Sequence, residues 1–265
     1  MAISDGTELV LLNPVFSPNT FAPVVASATN TKCSVTSASA SATFTADEIV
    51  VKTALGGSPY TLASYSKTVN LGSTGAGGMD TGSAPANGYV SLYAIYGASG
   101  TSILACNVTT SATSIYGGSN MPSGYTYSAL IGIWPTNGSS QFPIGYQIGK
   151  SVYFASVNVL NSEVSETSYT SLGISSAVPP TAKSCSGFVG SPTSEVQNAI
   201  SLAADANGTG EQCIVVYPAA WPSDGNYASA PFSVPIVTAQ TVYYKTINNA
   251  GEYASNSINI TGYTF

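Results

Sequence analysis

Between Gly78 and Phe154, short runs rich in Tyr, Ile and Val alternate with clusters of Gly, Ser, Asn and Pro, and no stretch keeps the spacing of an amphipathic helix. A chain punctuated this often has room for short strands and tight turns, and for little else. Gly88 to Tyr96 and Thr101 to Thr109 read as two strands joined at Gly97-Ala98-Ser99-Gly100. Tyr127 to Trp134 reads as another strand, followed by a turn at Asn137-Gly138, one of the strongest hairpin dipeptides, and a return over Ile144 to Phe154.

The same pattern extends both ways. The run Ser37 to Thr45 alternates alanine with hydroxyl residues, and Asp47-Glu48 then leads into a second strand at Ile49-Val50-Val51. Leu62 to Leu71 follows the turn at Gly56-Gly57-Ser58-Pro59. Further strands are read at Tyr169–Ile174, Cys185–Val189, Val196–Ala204, Cys213–Tyr217, Val234–Ile247 and Ser257–Phe265. No helix and no heptad repeat is expected. The strand count and spacing predict an all-β fold, an antiparallel β-sandwich of jelly-roll type over residues 35–265.

Residues 1–34 differ in kind. Pro14, Pro18 and Pro23 interrupt the apolar residues Leu9, Leu11, Leu12, Val15, Phe16 and Phe21, and proline has no place in the middle of a sheet. This segment reads as an extended N-terminal arm with apolar anchors. The apolar run at Leu9–Leu12 follows two acids and stops before Pro14, too short for a signal peptide or a membrane span, so synthesis in a cytosol without the usual export route is expected.

Charge is scarce: 7% of the 265 residues, with a net charge of −6 and neither histidine nor arginine. Nucleic acid and anionic membrane both demand clustered cations and are excluded as expected partners. Without histidine, triad chemistry lacks its usual base and a zinc site its usual complement to cysteine. The scattered Cys33, Cys106, Cys185 and Cys213 read as buried free thiols rather than two disulfides. No pair of acids falls in a cleft motif, although Glu163 and Glu166 sit close together in a polar stretch read as a loop. Asp205-Ala206-Asn207-Gly208 and Asp224-Gly225-Asn226 echo calcium loops but read as turn chemistry. Catalytic, metal and cofactor residues are therefore expected to be none.

Aromatic residues carry more information: 17 tyrosines and two tryptophans in a chain this poor in charge suit stacking on sugars and adaptable contacts. The leading binding candidate is the loop around Tyr217, Trp221, Asp224, Asn226 and Tyr227, and the second is the insert bounded by Tyr116 and Tyr125.

Several segments resemble, in order, a family of phage virion surface proteins of tail-fibre type. They are Met79-Asp80-Thr81-Gly82, the Ala86-Asn87-Gly88-Tyr89 approach to Tyr93-Ala94-Ile95-Tyr96, Pro122–Gly132, Gln147–Phe154, Ser171–Gly190 with its AVPPTAK core, Ala230–Lys245 and the closing Ile258–Phe265. The resemblance implies a virion β-sandwich, homotrimeric, made in the host cytoplasm, binding other virion proteins and a host glycan or surface receptor. A capsid decoration or head-fibre protein is the alternative it leaves, with a polysaccharide-degrading enzyme behind both. The arm does not take part in the resemblance; it reads as the attachment to the virion or to a neighbouring subunit.

Overall fold

The computed structural model describes residues 2–4, 9–11, 23–192, 198–216, 227–247 and 255–265. These carry eighteen strands and no helix. Every ladder between named strands is antiparallel. The all-β antiparallel sandwich expected from the turn spacing is the fold, but it is built as two sandwiched lobes that share one continuous sheet.

The first lobe contains β3 (Ala28–Thr29), β4 (Lys32–Val35), β5 (Ser41–Lys52), β6 (Pro59–Asn70), β7 (Tyr89–Gly97), β8 (Gly100–Asn107), β9 (Tyr127–Pro135) and β10 (Gly145–Ile148). β5 and β6 form a long hairpin, paired from Ser41↔Asn70 to Lys52↔Pro59, with Pro59 at a strand start where its missing N–H does no harm. The alanine–hydroxyl alternation works as period two requires: Ala42, Phe44 and Ala46 point into the core, while Thr43 and Thr68 bond to each other outside. Asp47-Glu48 does not divide this strand. Asp47 faces out and accepts a bond from Asn30, so one strand runs where two were expected.

β8, β7 and β9 form the facing layer. Trp134 on β9 lies edge-on to Phe44 at 6.1 Å and to Phe142 at 6.0 Å, and its indole N–H donates to Gln147 Oε1 at 2.8 Å. The Gln147 amide in turn donates to the carbonyls of Ile131 and Gly149, at 2.6 and 2.9 Å, so the buried side chain pins both layers. Asn137-Gly138 is not a hairpin turn. The Asn137 carboxamide accepts from the N–H groups of Ser139 and Gln141, turning the chain across to the opposite layer, and the hairpin comes later, at Gly149 (φ +59°) between β10 and β11 (Ser151–Ser162).

The second lobe comprises β11, β12 (Glu166–Gly173), β13 (Ser184–Pro192), β14 (Asn198–Ala203), β15 (Gln212–Val216), β16 (Tyr227–Pro235), β17 (Thr241–Ile247) and β18 (Asn256–Thr264). Its strands pair β11 with β18, β12 with β17, β13 with β16 and β14 with β15. That nesting describes one long hairpin. Rolling it up adds the β13–β18 and β14–β17 ladders and gives the sheets β16-β13-β18-β11 and β12-β17-β14-β15, the order of a jelly roll. Gly187 sits at a bulge where a Cβ would meet the Asn259 carbonyl oxygen at 1.9 Å, so only glycine lets β13 close on β18. Cys185, Val189, Phe232, Val234, Ile258 and Ile260 from one sheet meet Ile200, Leu202, Val242 and Tyr244 from the other. The Gln212 amide joins the two layers by donating to the Ser233 carbonyl and accepting from its N–H.

The lobes are sealed by aromatics. Tyr263, near the end of the chain, donates to the Ile133 carbonyl at 2.7 Å and packs on Tyr89 and Phe154, while Tyr89 donates to the Ser175 carbonyl. Strand pairing begins at β3 and β4, ahead of Val35, inside the segment read as arm. Further upstream, β1 (Ala2–Ser4) and β2 (Leu9–Leu11) form a small hairpin whose pairing is to each other. Leu9 and Leu11 lie in it with side chains outside the described residues, as are Leu12, Val15, Phe16 and Phe21.

All four cysteines are free. Cys33 and Cys185 are buried, as expected, and burial pushes both thiols up to about 12. Cys106 is half-buried and Cys213 is exposed, which corrects the reading of four buried thiols. Cys213 alternates with inward-facing Ile214 on β15 and so falls on the outer face. Glu166 is also corrected, since it opens β12 rather than lying in a loop.

Candidate functional site

At one end of the first lobe, exposed Tyr60 meets half-buried Tyr96 and Tyr127. Tyr96 closes β7 just before the Ala98-Ser99 turn, and Tyr127 opens β9 directly opposite it. From the other layer, Tyr60 at the start of β6 lays its ring on Tyr96, with centroids 3.9 Å apart and planes 14° from parallel. Tyr127 leans on both, 6.1 Å from Tyr60 and 5.8 Å from Tyr96. Tyr60 remains 42% exposed, and exposed Leu55 stands on the neighbouring β5–β6 turn. The Tyr96 phenol is held above its ordinary range first by the Tyr60 hydroxyl beside it. It is a neutral donor and acceptor at physiological pH.

A cleft of about 370 Å³ runs from this cluster along the outer edge of β6, from Tyr60 to Lys67, with Thr101 opposite. β6 is laddered to β5 alone, so its outer edge offers backbone groups to a ligand. Ser64 has φ +50°, a left-handed conformation in the middle of that edge, which a β-branched or bulky side chain would strain. Stacked phenol faces beside a row of backbone and hydroxyl hydrogen-bonding groups, with Lys67 the charged residue of the cleft, can hold a neutral polyhydroxylated molecule: ring faces for its C–H surfaces, and polar atoms for its hydroxyls.

The insert between β8 and β9 folds back over the outer face of β7, which is why β7 is buried along most of its length. The Tyr116 N–H donates to Ser128 Oγ and the Leu130 N–H to the Ser114 carbonyl, tying the insert to β9. Tyr116, 7% exposed, packs edge-on to Tyr93, donates to Asp80 Oδ2 at 2.7 Å and accepts from the Asn120 N–H. Burial, and secondarily Asp80, hold its phenol well above the ordinary range. Cys106, next to the same carboxylate, is pushed up to about 11 by burial first and Asp80 second. Tyr116 therefore anchors the insert and offers no ring face to a partner, which corrects its reading as a binding residue. Tyr125 is half-buried against the same small cluster.

Of the leading loop candidates, Tyr217, Trp221, Asp224 and Asn226 lie outside the described residues, as does the side chain of Tyr227, the first residue of β16. The sequence places Tyr96 and Tyr127 at the ends of expected strands and leaves Tyr60 between an expected turn and the strand from Leu62, so it singles out none of the three. The available signal was their position, each within a residue or two of turn-forming Gly, Ser or Thr, where a strand side chain leaves the core.

Among the described residues, no group of three or more Cys, Asp or Glu stands close enough to hold a metal ion, and no helix is long and apolar enough to cross a membrane. No protein-family model matches the chain, and no curated protein matches it in sequence.

Proposed function

We propose that this chain is a non-enzymatic phage virion protein of the tail-fibre or receptor-binding type, which recognises a neutral host-surface glycan through the Tyr60–Tyr96–Tyr127 cluster. The observation that carries the reading is the stack of exposed Tyr60 on half-buried Tyr96 at the end of a charge-poor, hydroxyl-rich sandwich. Tyrosine gives large amphipathic contact area with few torsions to freeze, so such a cluster suits sugar rings better than ions. The ordered resemblance of roughly residues 75–265 to virion surface proteins, the low charge and the absence of histidine point the same way. Homotrimeric assembly and location on the virion belong to this proposal.

A second reading, capsid decoration, draws on the N-terminal hairpin. β1 and β2 pair with each other in a separate two-stranded sheet, and such a hairpin is marginal in water unless something covers it. Docking onto a neighbouring virion protein would cover it in either reading. Antibody labelling of intact particles separates them. Label at the tail tip supports the recognition reading, label spread over the head supports decoration, and particles without label overturn both.

A further inference from the structure

The outer face of the β12-β17-β14-β15 sheet carries a trough, and we infer that it is a second binding site, for a neutral pyranoside, independent of the tyrosine cluster. Register defines its shape. Central strand β14 lays small residues, Ala199 and Ser201, along the floor, while β17 and β15 raise walls on either side. Ile247 and Val215 flank Ala199, and Lys245 and Cys213 flank Ser201. The resulting cleft measures about 330 Å³, which falls at the small end of the roughly 300–1,000 Å³ typical of ligand pockets and is suited to one or two sugar rings.

One half of the trough is polar and organised. Lys245 Nζ lies 3.0 Å from Glu211 Oε1, the one salt bridge among the described residues, and 4.7 Å from the centre of the Tyr169 ring. The Tyr169 hydroxyl is enclosed beside this pair with no properly aligned hydrogen bond. Glu211 is placed by a rigid turn. Asp205 accepts from the N–H groups of Asn207 and Thr209 and from the Thr209 hydroxyl, and the Glu211 N–H donates to the Gly208 carbonyl. Gly208, at φ +80°, lets the turn lie against Tyr169, whose ring a Cβ there would meet at 2.6 Å.

An acceptor and a donor one hydrogen-bond length apart match two neighbouring hydroxyls on a pyranose, one giving its proton to Glu211 and the other receiving from Lys245. The other half is apolar: Ile247 and Val215, 41% and 40% exposed, stand across Ala199 and offer a seat for the C–H face of the ring. Glu166 and Glu211 outnumber Lys245 in the lining, so the site repels phosphates, uronates and sialic acids. The site is held ready without a ligand, which limits the ordering cost of binding.

Saturation-transfer NMR on the full chain, with a panel of neutral hexose, deoxyhexose and N-acetylhexosamine disaccharides and glucuronate as the acidic comparison, tests this. At least one neutral disaccharide should bind. Glu211→Gln and Lys245→Met should each weaken it about tenfold, in line with the loss of a charge-assisted hydrogen bond, and the groove-filling Ala199→Phe should abolish it. Tyr60→Ala should leave this binding unchanged, which separates the trough from the proposed receptor cluster. Thermal melts confirm that each variant is folded, and Glu211→Gln carries the test if Ala199→Phe does not fold. The inference is overturned if no neutral disaccharide binds, if glucuronate binds more tightly, or if folded Glu211→Gln binds as well as the unaltered chain.

Discussion

The two lobes share a sheet yet differ in how they are wired. The first lobe builds long ladders between neighbours in sequence, β5 with β6 and β7 with β8, and locks its layers with the Phe44–Trp134–Phe142 cluster and the Gln147 side chain. In the second, the outermost pair joins β11 to β18, the two ends of the lobe, and the remaining pairs nest inside. Their surfaces differ as well, with a stacked aromatic cluster on one and a preorganised ion pair on the other. A lobe wired locally can be altered at its loops without losing register. A rolled hairpin must be complete before its outer ladder forms.

Breaking the first lobe's core gives the largest expected effect. Trp134→Ala removes a fully buried indole and should cost about 3–5 kcal/mol in urea denaturation. Because the sheet and core run unbroken through both lobes, unaltered protein should unfold in one transition; two separated transitions would show that the lobes are independent domains. Gln147→Leu comes next. It leaves the Trp134 N–H and the carbonyls of Ile131 and Gly149 without their partner and should cost about 1–3 kcal/mol.

The second lobe answers more weakly, through pH. A bond from Ser201 first, then the neighbouring Lys245, hold the Glu211 carboxyl below its ordinary range, and bonds from Thr209 do the same for Asp205. Their contribution is complete above the ordinary carboxylate value of about 4.3 and is lost as pH falls through the lowered folded-state values. Lys245 is raised, chiefly by Glu211, so its share is complete below its ordinary value of about 10.4 and fades as pH rises beyond it. All three groups are solvent-exposed, so the effect is small. Melting temperature against pH should show a shallow acid slope that flattens in Glu211→Gln. Smallest of all, with no stability change, is thiol labelling: native protein should react first at exposed Cys213, more slowly at Cys106, and at Cys33 and Cys185 only on unfolding.

The difference in wiring also explains what the sequence disclosed. The Ala98-Ser99 hairpin and the Asp205–Gly208 turn were legible because their ladders close locally. The β11–β18 pairing was not, since nothing in Ser151–Ser162 names its partner near Phe265; only the general jelly-roll expectation covered it. Asn137-Gly138 misled because the turn it makes, closed by backbone and side-chain bonds between Asn137 and Gln141, leads to a bridge between Phe142 and Ser39 rather than to a strand paired with β9. Of the candidate site, Tyr116 was visible as a residue but not in its role, which depends on Asp80 from another loop. Tyr60, Tyr96 and Tyr127 become a cluster only once two layers bring separate strand ends together.

The central claim is that this cluster recognises host glycan, and binding of the purified protein to bacterial envelopes of the host, before and after periodate oxidation of their vicinal diols, tests it most directly. The prediction is binding that periodate destroys and that Tyr96→Ala weakens at least about tenfold, the scale of one lost aromatic contact, while Glu211→Gln retains it. Envelope binding by folded Tyr96→Ala equal to that of the unaltered chain, or binding that survives periodate, would contradict it.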